Sequence, residues 1–191
     1  MASNRSVGNH PLWQRVRWVV WSGLATLLAL PLVAMQFTHE VQWSLSDFIL
    51  MGGMLGLVGG AFELAVSVAR SNTYVFAAGV AVANAFLIAW INLAVGIVGS
   101  ENNPPNQMFF GVLAVGLIAI AFSRLKPRGM ARAMEVTASA QVLVSVIPLA
   151  MSEGYLVVLL GFFVAMWLVS AQLFRKAARE EAHRAGTARA N

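Results

Sequence analysis

Glu63 is a carboxylate inside an apolar run that extends from Phe48 to Ala69. A charge at mid-bilayer costs at least ~2.5–3.5 kcal/mol, so an ionisable group in such a run marks a functional site or a buried polar contact. Three readings fit: a proton- or cation-binding carboxylate, a protonated or hydrogen-bonded group that locks helix packing, or a side chain snorkelling toward the cytoplasmic interface. Glu63 lies seven residues before Arg70, about 10 Å along a helix at 1.5 Å per residue. Asn84, Asn92, Thr137 and Gln141 complete an expected intramembrane polar cluster with Glu63. Asparagines buried in membranes usually act as interhelical glue worth about 0.6–2 kcal/mol; the alternative is a polar route shared with Glu63. Thr137 and Gln141 are i and i+4, so they share a helix face. Their depth matches that of Glu63, and contact between the two helices would let Gln141 hydrogen-bond it.

Other constellations are weaker. His39, Glu40 and Asp47 are too few and too close in sequence for a metal set. Ser44 and Asp47 have the spacing of a capping box instead. Glu101, Asn102 and Asn103 offer oxygens to a hard cation but only one carboxylate. No metal and no cofactor are expected. The chain has no cysteine, which excludes disulfides and thiol chemistry. It has no histidine cluster, no G-x-S-x-G elbow and no paired carboxylates at one depth, so an enzyme is not expected.

The elements that must position these groups are membrane helices. Of 191 residues 59% are hydrophobic and 11% charged, against about 25% charged in soluble domains. Mean hydropathy is +0.71. Six runs approach the ~20 residues needed to span a bilayer: 18–35, 48–69, 74–98, 108–123, 134–151 and 155–174. The fourth is nearly all apolar and expected to face lipid; the fifth is the most polar. Residues 1–17 and 175–191 are left as cytoplasmic tails, the second read as a frayed helix. The first run resembles a signal peptide but has no small-x-small cleavage site after Pro31, so it is expected to stay as a span.

All 13 Lys and Arg residues fall in alternate connections. Arg5, Arg15 and Arg17 precede span one, and Arg70 follows span two. Arg124, Lys126, Arg128 and Arg132 follow span four, and the rest follow span six. This positive-inside pattern predicts an all-α polytopic bundle with both termini cytoplasmic. The net charge of +5 therefore implies anionic lipid headgroups, notably at Arg124, Lys126, Arg128 and Arg132, rather than nucleic acid. In span two Gly52, Gly56, Gly59 and Gly60 form a small-residue face suited to close helix contact. That face also admits a homo-oligomer or a partner membrane protein.

Pro31-Leu-Val-Ala-Met-Gln-Phe-Thr38, Glu40-Val41, Trp43 and Asp47-Phe48 resemble the opening of a family of small uncharacterised six-span bacterial inner-membrane proteins. Trp90-Ile-Asn-Leu-Ala-Val-Gly-Ile-Val-Gly-Ser-Glu-Asn-Asn-Pro104 and Arg128-Gly-Met-Ala-Arg-Ala133 resemble the same family. The resemblance implies a multi-pass protein of the bacterial inner (plasma) membrane and no particular activity. The expected function is structural or accessory. The alternative is a small-solute or proton-coupled transporter or channel using Glu63.

Overall fold

The computed structural model describes residues 11–99, 103–151 and 155–190. Their regular structure is wholly helical, with no strand. In chain order the helices are α1 (Pro11–Ala34), α2 (Leu45–Val68), α3 (Asn72–Ala94), α4 (Gln107–Ser123), α5 (Pro127–Met151) and α6 (Tyr155–Ala190), with a 3-10 turn, Pro104–Asn106, before α4. Among the described residues, five helical stretches are long and apolar enough to cross a membrane: Trp13–Ala34, Leu45–Val68, Asn72–Ala94, Pro104–Ser123 and Leu156–Thr187. That is the character of a membrane helix bundle. α5 also carries an apolar run of spanning length, residues 134–151, with Glu135 as its one charged residue.

Contacts divide the chain into two compact units, residues 1–70 and 71–191. In the first, α1 and α2 run antiparallel. The Trp13 ring meets Phe62 with centroids 6.4 Å apart, and Leu28 approaches Gly52. α1 continues through Pro31, and the Met35 N–H closes on the Pro31 carbonyl at 2.9 Å. α2 starts at the capping box read from sequence. The Ser44 N–H donates to Asp47 Oδ2 at 2.7 Å, and the Asp47 N–H donates to Ser44 Oγ at 3.3 Å. Two of the helix's orphan donors are satisfied in this way. The same bonds engage Asp47 and draw it away from a metal set with His39 and Glu40.

In the second unit α3 packs on α6, and α5 packs on both α4 and α6. The buried face of α3 carries Ala77, Ala78, Ala81, Asn84, Ile88 and Asn92. Small side chains there let α6 come close: Ser170 Oγ donates to the Ala77 carbonyl at 2.8 Å. Tyr74 stacks edge-on against Phe174, and its hydroxyl donates to the Leu125 carbonyl at 2.9 Å. α4 does not face only lipid. Phe109, Val112 and Gly116 are buried on one side, and a Cβ on Gly116 would meet Thr137 Oγ1 at 3.1 Å.

Several boundaries differ from the sequence expectation. α3 stops at Ala94, because Gly96 turns into the left-handed region at φ 78°. The expected basic loop after span four shrinks to a turn at Arg124 and Leu125, both at positive φ. Arg128 and Arg132 stand on α5, which opens at Pro127, where a missing N–H is harmless. Gly129 is required here: a Cβ would lie 2.6 Å from the Ser123 carbonyl oxygen. The expected tail from residue 175 continues α6 as helix to Ala190, held in part by Thr73 Oγ1 donating to Glu180 Oε1 at 2.8 Å.

Candidate functional site

Glu63 has a partner that the sequence reading placed in the N-terminal tail. Arg17 stands two turns into α1, and its Nε lies 2.8 Å from Glu63 Oε2. The contact is an ion pair rather than an aligned N–H···O bond. Trp21, i+4 from Arg17, donates its indole N–H to Glu63 Oε1 at 3.2 Å. The Trp21 ring can reach the carboxylate because Gly59 leaves room: a Cβ there would lie 2.6 Å from the ring. Gly59 and Glu63 are also i and i+4, so one face of α2 supplies both the recess and the acid. About a third of each charged side chain remains exposed by the protein itself. Of the expected packing glycines, Gly59 and Gly52 meet α1, whereas Gly56 and Gly60 have open space above them.

The other members of the expected cluster lie in the second unit. Asn84 is fully buried on α3 and donates to the Phe163 carbonyl at 3.0 Å; its Oδ1 has no partner. Thr137 is fully buried and returns its hydroxyl hydrogen bond to the Ala133 carbonyl at 2.8 Å. Gln141 is fully buried and neither its Oε1 nor its Nε2 finds a partner. The Gln141 carbonyl, by contrast, accepts from Ser145 Oγ at 2.6 Å. On the facing helix the Trp167 indole N–H is buried and unpartnered as well. Leaving such groups unmade is expensive, ~1–3 kcal/mol each.

Asn92 does not join these groups. Its Nδ2 donates to the Asn106 carbonyl at 2.8 Å, near the Asn-Pro loop. Asn106 Oδ1 accepts from the Val98 N–H at 2.8 Å, and Asn103 Nδ2 donates to the Val98 carbonyl at 2.9 Å. Asparagine amides thus replace the helix hydrogen bonds lost beyond Ala94. The use of Asn103 here is structural. Glu101 and Asn102, its companions in the cation reading, lie outside the described residues, as does the short turn at 152–154.

Sequence reasoning missed a second ion pair. Glu135 Oε1 on α5 lies 2.7 Å from Arg175 Nη2 on α6. The signal was present: each stands one residue from the end of its expected span, on adjacent antiparallel helices. From this pair, Gln141 is six residues along α5 and Trp167 eight residues along α6, hence about 9 and 12 Å away in the same direction. Asn84, opposite Phe163, follows at about 18 Å. The buried polar atoms of the second unit therefore form a ladder along its helices. Among the described residues no three His, Asp or Glu side chains gather to hold a metal ion.

No family model, curated protein or solved structure matches the chain.

Proposed function

We propose that the chain is a six-span protein of the bacterial inner membrane, with both termini cytoplasmic, serving a structural or accessory role. The observation that carries the role is the pairing of its intramembrane charge. Glu63 is matched by Arg17 and Trp21, and Glu135 by Arg175. Each carboxylate is thereby committed to holding two helices together, which is the use a dry, paired acid has in a bilayer. α5 is the sixth span in this reading. At 25 residues it is long enough, and beyond its basic first turns Thr137, Gln141 and Ser145 are buried, while the exposed Ser139 returns its hydroxyl to the Glu135 carbonyl at 3.0 Å.

Topology is testable because the chain is cysteine-free. Single cysteines at His39, Lys126 and Thr187 are probed with a membrane-impermeant maleimide. The six-span reading expects H39C alone to label from outside. Labelling of T187C from outside would mean that α5 does not cross. For the role, proteoliposomes of the wild type should be no more permeable to protons or alkali cations than empty vesicles. A flux abolished by E63Q would overturn the structural reading. It would favour a small-solute or proton-coupled transporter, the alternative for which the unmet Gln141 amide and Asn84 Oδ1 speak.

A further inference from the structure

α6 has two faces that separate cleanly. At about 100° per residue, Phe163, Trp167, Ser170, Phe174 and Ala177 share one side, and all are buried. The opposite side, within about 140°, is a shallow groove of about 410 Å³ lined by Leu168, Val169, Gln172, Leu173, Lys176 and Arg179. Leu168 and Val169 are 45% and 48% exposed, so this side is not spent on the bundle. Arg175 is engaged by Glu135, and the neighbouring acid Glu180 by Thr73. Lys176 and Arg179 have no ion-pair partner among the described residues.

The order of chemistry along the groove matches a bilayer leaflet. About 20 residues of helix cross the ~30 Å hydrocarbon layer, so a span opening at Tyr155 leaves it near residue 174. Leu168, Val169 and Leu173 then stand at acyl-chain depth. Lys176 and Arg179 stand roughly 3 and 7.5 Å beyond, the first inside the headgroup layer of ~5–7.5 Å and the second at its outer edge. We propose that this face of α6 is a binding site for one anionic phospholipid. Its acyl chain lies along Leu168, Val169 and Leu173. Its phosphate is held between Lys176 and Arg179, and the Gln172 amide faces the glycerol esters. A protein partner would not require the switch from apolar to cationic to fall at headgroup depth; a lipid does. The site rests on the membrane reading above, and it is separate from the arginines at the start of α5.

The test uses the full chain in nanodiscs of mixed phosphatidylglycerol and phosphatidylcholine, followed by native mass spectrometry of the retained lipid. The wild type is expected to retain phosphatidylglycerol preferentially. K176Q/R179Q should reduce that preference about 10- to 30-fold, from the loss of two near-surface cations. K176R/R179K should keep it. Equal retention of both lipids by the wild type overturns the site. So does an equal loss in R128Q/R132Q, which would make the attraction diffuse electrostatics of the whole surface. Carbonate extraction separates the two levels. Release of the wild type removes the membrane reading itself, whereas a retained protein without lipid preference removes the site alone.

Discussion

Arg17 and Glu63 should be energetically coupled, and the coupling should resist salt. Two unit charges 4 Å apart attract by about 4 kcal/mol at an effective dielectric of 20. Fully exposed pairs return only about 0–1 kcal/mol, because water and side-chain entropy cancel the gain. The side chains here are 33% and 34% exposed by the protein, but the open side faces lipid in our reading. We therefore expect a coupling of about 1–3 kcal/mol, between those limits. On that reading R17Q leaves an acid roughly 10 Å inside the membrane, and E63Q leaves a guanidinium beside it. Each single variant should lose stability, and R17Q/E63Q should lose less than the sum of the two.

The assay is a double-mutant cycle on reversible unfolding in bicelles at pH 7, repeated at about 0.05 and 0.5 M salt. A pair in water weakens as the Debye length shrinks; a lipid-shielded pair does not. Additivity within about 0.5 kcal/mol would refute the claim that the pair joins α1 to α2. A coupling that disappears at the higher salt would place the pair in water and remove the membrane argument for Glu63.

Three further outcomes follow from the packing. G59A should cost about 1–3 kcal/mol by driving the Trp21 ring off Glu63, whereas G56A and G60A should stay within about 0.5 kcal/mol; equal effects in the same unfolding assay would refute the recess. G129A, whose Cβ would meet the Ser123 carbonyl at 2.6 Å, should lower stability by about 1–3 kcal/mol, and a neutral result would show that the α4–α5 turn yields easily. Q141L removes two buried amide atoms that lack partners, so it should be neutral or stabilising; a loss above about 1 kcal/mol would show that the amide has a partner in the membrane.

The helices were legible because apolar runs of spanning length are rare outside membrane helices. Their ends were less so. Hydropathy marks where a chain leaves the bilayer, not where a helix stops. α6 therefore runs to Ala190 through residues that resembled a tail, and α5 starts at Pro127 inside an apparent basic loop. The end of α3 was missed for a different reason. Val95 to Val98 read as apolar continuation, but Gly96 turns left-handed and Asn106 replaces the lost backbone bonds. At the candidate site Glu63 stood out by type and surroundings, while Arg17 was absorbed into the orientation signal. Glycine spacing identified a contact face. It could not separate Gly59, which holds a ring, from Gly56 and Gly60, which hold nothing.

Arginines near span ends serve two functions here, and the charge count shows that both can be met. Pairing with Glu63 and Glu135 neutralises Arg17 and Arg175. Arg5 and Arg15 still precede the first apolar run, 18–35, and Lys176, Arg179, Arg184 and Arg189 still follow the last. The positive-inside bias depends on Lys and Arg close to the span ends rather than on any single residue. Orientation therefore does not require Arg17 or Arg175 to be free, and each can be committed to joining two helices. On the six-span reading R17Q/E63Q should accordingly weaken the α1–α2 hairpin and leave the labelling side of T187C the same as in the otherwise wild-type chain.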